Sequence, residues 1–104
     1  MSADEVFSTL SNPVRRRLLE LLAHGPRNAG SLAKEFDLSR PAVAEHLSNL
    51  EHAALVRAVK RGRERYYHLN PEPLEELTEW LRPFERYWRQ RLSDLANLLE
   101  EPNQ

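Results

Sequence analysis

Cysteine is absent from all 104 residues. That absence excludes disulfide stapling, thiolate metal sites and cysteine catalysis together. Glycine is scarce, at three residues, and none sits in a glycine-rich phosphate loop. No Ser-His-Asp motif and no isolated carboxylate pair in an apolar setting appears, so the chain does not read as an enzyme. No apolar run approaches the roughly 20 residues that a membrane span requires. The opening Met1-Ser2-Ala3-Asp4-Glu5 carries two acids and no base. It resembles neither a secretory signal nor a presequence, so the expected location is the cytoplasm.

What is present fits one globular domain, with 40% hydrophobic and 30% charged residues. The formal net charge of −1 conceals three blocks. Residues 1–11 hold two acids, residues 12–68 hold eleven Lys or Arg against six acids, and residues 69–104 hold four Arg against eight acids. A basic middle between acidic ends suits a polyanion-binding module.

Local signals divide the chain into elements. Val6, Phe7 and Leu10 predict a short amphipathic helix. Asn12 followed by Pro13 predicts an N-cap and first helical residue, and Leu18, Leu19, Leu21 and Leu22 follow until Gly25-Pro26 stops the helix. Asn28 is placed to cap a short helix with Leu32, Ala33 and Phe36 inward, ending near Asp37-Leu38. Ser39-Arg40-Pro41 then opens a helix with Val43, Leu47 and Leu50 on one face.

Residues 55–60 and 64–69 change to a strand period around a turn at Arg61-Gly62-Arg63, which predicts a hairpin. Asn70-Pro71 repeats the cap-plus-proline signal before a stripe of Leu74, Leu77, Trp80, Leu81, Phe84, Trp88, Leu92, Leu95 and Leu99. Pro83 predicts a kink or break of that helix near residues 80–83. Pro102-Asn103-Gln104 reads as a frayed end. The predicted fold class is mainly α with a β-hairpin, a winged helix-turn-helix in a single domain over residues 1–104. Its parts are a helix-turn-helix at 28–53, a wing at 55–69, and dimerisation helices at 1–11 and 71–101.

In this order, the stretches LSNPVRRRLLELL at 10–22, LSRPAVAEHL at 38–47, residues 50–56, Arg61-Gly62-Arg63 and Tyr66-Tyr67-His68-Leu69 resemble the ArsR/SmtB family of bacterial transcriptional regulators. The resemblance covers roughly residues 5 to 100. It implies a homodimeric repressor that binds a palindromic operator in double-stranded DNA and releases it on a signal. It also implies that base and phosphate contacts come from Ser39, Arg40, Pro41, Ala44 and Glu45. Ala44 and Glu45 depart from the Ser, Gln or His that the family often carries there.

Helical geometry puts Pro41, Glu45, Ser48 and His52 opposite the apolar stripe, with Ala42 and Asn49 flanking. Arg40 suits a bidentate contact to guanine, Glu45 could accept from cytosine N4, and Ala44 could meet a thymine methyl. Exposed side chains without a DNA role are the competing reading of Arg40 and Glu45. His46 is expected to be a hydrogen-bonded residue flanking the core stripe rather than a DNA contact.

The hairpin carries Arg57, Lys60, Arg61, Arg63 and Arg65, suited to phosphate or minor-groove contact. Arg15, Arg16 and Arg17 point in three directions on a helix, so at most one or two of them face DNA. Tyr66 and Tyr67 suggest base stacking, but packing of one ring under the wing is the commoner use of such a pair.

The terminal stripe exceeds what a small core can cover. Val6, Phe7, Leu10, Leu77, Trp80, Phe84, Trp88, Leu92, Leu95 and Leu99 are therefore expected at a two-fold interface. An effector pocket lined by Trp80, Phe84, Tyr87 and Trp88 is the alternative use of the aromatic cluster. Metal sensing, known in the family, is not expected. There is no cysteine, and the histidines at 24, 46, 52 and 68 include no i, i+4 pair. No cofactor is expected either. Two other functional classes keep the same fold: a sensor of apolar or aromatic small molecules, and an interaction module titrated off DNA by a partner protein.

Overall fold

The computed structural model describes residues 3–100; the chain's last residues, including the expected frayed end, lie outside them. Three side-chain caps start the helices of the chain's first half. Asn12 accepts from the amides of Val14 and Arg15 at 2.8 and 3.2 Å and begins α2, Pro13–Leu22. Asn28 accepts from the Ser31 amide at 2.7 Å and begins α3, Ala29–Ala33. Ser39 accepts from the Ala42 amide at 3.2 Å and begins α4, Arg40–His52. Each oxygen meets an N–H that has no partner within its helix. Helix α1, Ala3–Thr9, precedes them.

The hairpin forms from β2, Val56–Arg61, and β3, Glu64–Leu69. Gly62 at the turn has φ +64°, which a glycine adopts without penalty. A two-residue strand, β1 at Arg27–Asn28, pairs antiparallel with β3 and gives the order β1-β3-β2. Periodicity cannot register so short a strand, and the sequence reading missed it.

Leu18, Leu32, Val43, Leu47, Leu50 and Leu55 are fully buried at the centre of these elements, and Tyr67 closes the core from the sheet. Val6 is fully buried with them. It therefore belongs to the chain's own core and not to a two-fold interface, because α1 turns that side chain inward. Leu10 and Leu77 are half-buried against the same core.

Helix α5, Leu74–Glu100, runs without interruption through Pro83, so the expected break at 80–83 does not occur. Proline deletes one backbone bond, to the Glu79 carbonyl, and the exposure of residues 79–83 lets water occupy that acceptor. Across the proline, the Phe7 and Trp80 rings meet edge to face at 5.3 Å, and Trp80 and Phe84 lie 5.0 Å apart. Asn70 does not cap α5, which begins four residues later. Its amide instead donates 2.7 Å to the Ala54 carbonyl.

Candidate nucleic-acid interface

The exposed side of α4 is set by the burial of Val43, Leu47 and Leu50 on the other. Arg40, Pro41, Glu45, Ser48 and Asn49 are exposed, and Ala44 is half-buried beside them. Pro41, Glu45, Ser48 and the likewise exposed His52 are the residues that helical spacing placed opposite the stripe, with Asn49 flanking them. Ser39 stands at the same end, where its Oγ accepts from the Ala42 amide. Its hydroxyl hydrogen remains a donor for an external oxygen. Asn49 turns its Nδ2 back onto its own helix, donating 3.1 Å to the Glu45 carbonyl.

Strand register sorts the wing cations. Val56 faces Leu69, Ala58 faces Tyr67 and Lys60 faces Arg65, so Lys60 and Arg65 extend the surface whose root is the core. Arg57 opposite His68, Val59 opposite Tyr66 and Arg61 opposite Glu64 make up the other surface. Arg63 follows Gly62 in the turn. Arg57 is four residues from Arg61, about 13 Å along the strand, and so lies well back from the tip.

Tyr67 is the ring packed beneath the wing, whereas the Tyr66 ring lies under the Arg61 guanidinium, 5.6 Å from the ring centroid. That contact limits the freedom of Arg61. Glu64, the one acid of the hairpin, accepts at Oε2 from Asn28 Nδ2 at 2.9 Å and from the Tyr66 hydroxyl at 3.3 Å. Glu64 is thereby held by neutral donors. Among the described residues, none of Arg40, Arg57, Lys60, Arg61, Arg63 or Arg65 forms a salt bridge, while Arg17, Arg27, Arg82 and Arg89 do. The cations around the start of α4 and along the wing are thus left without ion pairs among the described residues. Of these, Arg40, Arg63 and Arg65 line one shallow concavity with Asn28, Ala29, Glu64 and Tyr67.

The run at 15–17 has other partners. Arg15 Nε donates to His46 Nδ1 at 3.2 Å, and its Nη1 reaches the Thr9 carbonyl at 3.4 Å. Arg16 donates to the Leu10 carbonyl at 2.7 Å, and Arg17 meets Glu20 at 3.4 Å. Arg15 and Arg16 thus tie α2 to the α1–α2 connection and to α4, whereas the Arg17 pair stays within α2. His46 is half-buried and hydrogen-bonded beside the core stripe, as its position implied.

Among the described residues, no three His, Asp or Glu side chains come together as a metal cage, and no helix is long and apolar enough to cross a membrane. The elements that sequence reasoning missed at this site are β1, which brings Asn28 onto Glu64, and Gly30, over which the Arg40 side chain lies. Neither leaves a mark in hydrophobic periodicity.

A helix-turn-helix domain model matches residues 10–59. The chain is 38% identical over 99 residues to the HTH-type transcriptional regulator Rv2034 of Mycobacterium tuberculosis strain H37Rv, covering 95% of this chain and 90% of that protein. It is 35% identical over 81 residues to the transcriptional repressor SdpR of Bacillus subtilis strain 168, covering 78% and 90%. The crystal structure of the ArsR family transcriptional regulator RHA00566 superposes with a TM-score of 0.73 at 32% identity, over 83% of this chain and 94% of that one. A crystal structure described as a possible transcriptional regulator for arsenical resistance gives 0.68 at 35% identity, over 94% and 96%. With its capped helix pair, its three-stranded wing and these relatives, the chain belongs to the ArsR/SmtB-type winged helix-turn-helix regulators, which bind DNA and are not enzymes.

Proposed function

We propose that the protein is a homodimeric transcriptional repressor acting in the cytoplasm on an inverted-repeat operator. The observation that carries this reading is the set of six cations around the start of α4 and along the wing that form no ion pair among the described residues. Phosphates would replace water around these groups and release counterions, the largest sequence-independent contribution to DNA affinity. Helix α4 would enter the major groove with Pro41, Ala44, Glu45 and Ser48 toward base edges. Ser39, Arg40 and Asn49 would lie at its margins, while Arg57, Lys60, Arg61, Arg63 and Arg65 hold phosphates or the minor groove.

Helix α5 supports the homodimer. It has no buried side chain over 27 residues and exposes Trp80, Phe84, Trp88, Leu92, Leu95 and Leu99. A second copy would cover that stripe together with Phe7, and the two-fold axis would set two half-sites about one helical turn apart. The chain lacks cysteine, so we infer a regulator that does not sense metals through thiolates. Its signal, a small molecule or a protein, would act by shifting the geometry of the dimer.

Selection of bound duplexes from random DNA, followed by anisotropy titration at two salt concentrations, tests this reading. An inverted repeat preferred strongly over scrambled DNA is expected. Weak, salt-labile binding without preference would replace the repressor with a module regulated by a partner. Apolar ligands that raise the melting temperature and loosen DNA together would assign the aromatic cluster to an effector.

A further inference from the structure

Arg40 is the first residue of α4, yet its guanidinium lies back over α3 rather than projecting from its own helix. A Cβ built on Gly30 would come within 3.2 Å of Arg40 Cζ, 3.4 Å of Nη2 and 3.5 Å of Nε. The planar group therefore lies over Gly30 so closely that a Cβ there would push the guanidinium away by a few tenths of an ångström. The same Arg40 lines the concavity with Arg63 and Arg65 of the wing. Three arginines line it, and none of them forms an ion pair among the described residues. Glu64 also lines this concavity, with its Oε2 engaged by Asn28 and Tyr66. Arginine carries a fork of N–H donors, so three arginines lining one open concavity suit a tetrahedral oxyanion, which accepts several N–H groups at once.

We propose that Gly30 seats Arg40 in a phosphate-binding notch shared with Arg63 and Arg65, which makes Arg40 a backbone anchor joining the recognition helix to the wing. The proposal rests on the DNA-binding reading and changes the expected role of Arg40, from a reader of guanine to a holder of phosphate. Gly30 is a positioning residue: the absence of its Cβ lets the guanidinium lie near the wing before DNA arrives, so less side-chain freedom is lost on binding.

The test compares Gly30→Ala, Arg40→Ala, Arg40→Lys and the Gly30→Ala/Arg40→Ala double variant. Each is titrated against a labelled duplex of arbitrary sequence and against the duplex recovered by selection, over a range of salt. Arg40→Ala is expected to weaken both duplexes by the same factor, about tenfold or less, and to lower the salt slope by about one. Arg40→Lys is expected to keep the slope while losing part of the affinity. Gly30→Ala is expected to weaken binding in the wild-type background and to change nothing further in Arg40→Ala. Its melting temperature should not fall, because alanine is the better helix former.

A changed base preference at one position with an unchanged salt slope would make Arg40 a base reader and overturn the notch. Equal weakening by Gly30→Ala with and without Arg40, or no weakening in either background, would remove Gly30 from the interface. The free protein supplies an independent readout, the Arg40 Nε–H resonance, which Gly30→Ala should move. An unmoved resonance defeats the seat itself, whereas a wild-type protein that binds neither duplex defeats the DNA-binding reading instead.

Discussion

The side-chain amide of Asn70 donates to the Ala54 carbonyl at 2.7 Å, and the Asn70 backbone amide donates to the Leu55 carbonyl at 2.8 Å. The residue that ends the wing thus closes the turn that begins it. Ala54 stands just beyond α4 with φ +58°, and the amides of Ala54 and Leu55 bond back to the carbonyls of Glu51 and Leu50, both at 2.9 Å. That is a glycine-type helix stop built on alanine.

Alanine at positive φ is strained, and glycine is not. Ala54→Gly should therefore raise stability by about 1 kcal/mol, and Asn70→Ala should lower it by about 1–2 kcal/mol by orphaning the Ala54 carbonyl. Urea unfolding of both variants measures this. A destabilised Ala54→Gly would mean that the turn carries no strain worth relieving.

Replacing Arg61 and Arg63 together by Ala should weaken binding to every sequence. The slope of log affinity against log salt should fall by about two. Anisotropy titrations across salt read the slope directly, and an unaltered slope would take the wing tip off the DNA.

Glu45 is an exposed acid on the helix surface proposed to face the bases. If it accepts from cytosine, Glu45→Gln should lower discrimination at one base pair of each half-site by about 1–3 kcal/mol. It should also raise affinity for arbitrary DNA, since a repelling carboxylate is removed. Competition with single-base operator variants separates these effects; higher affinity with full discrimination would leave Glu45 without a reading role.

Leu92 and Leu95 are 63% and 51% exposed, and neither contributes to the chain's own core. Leu92→Glu or Leu95→Glu should convert a dimer into a folded monomer, read by sedimentation with circular dichroism as the check on folding. A dimer that persists in both variants would place the interface elsewhere.

Pro83 sits inside α5. Pro83→Ala would return a donor to the Glu79 carbonyl and should add roughly 1–3 kcal/mol of stability and helical signal. No gain in either would indicate that the helix is already bent to accommodate the ring.

The sequence by itself determined the parts whose physics is local. A cap is a contact between residues two or three apart, so Asn12, Asn28 and Ser39 announced their helices, and Gly62 announced the hairpin turn. Burial of Val43, Leu47 and Leu50 at helical spacing also settled which side of α4 is exposed. Only the tertiary structure decided matters that depend on residues far apart in the chain. An isolated amphipathic turn does not reveal which body covers it, so Val6 reads as an interface residue from the sequence, whereas packing turns that side chain into the chain's own core. Asn70 carries the same cap signal as Asn12, but it is drawn to Ala54, sixteen residues away. Pro83 disfavours a helix locally, yet it costs one bond in a helix of 27 residues whose aromatic contacts run past it. Arg40 faces Gly30 and shares a notch with the wing only because α3, α4 and the hairpin converge there. Local preference holds where the competing energies are local, and it yields wherever burial or a distant hydrogen bond is worth more.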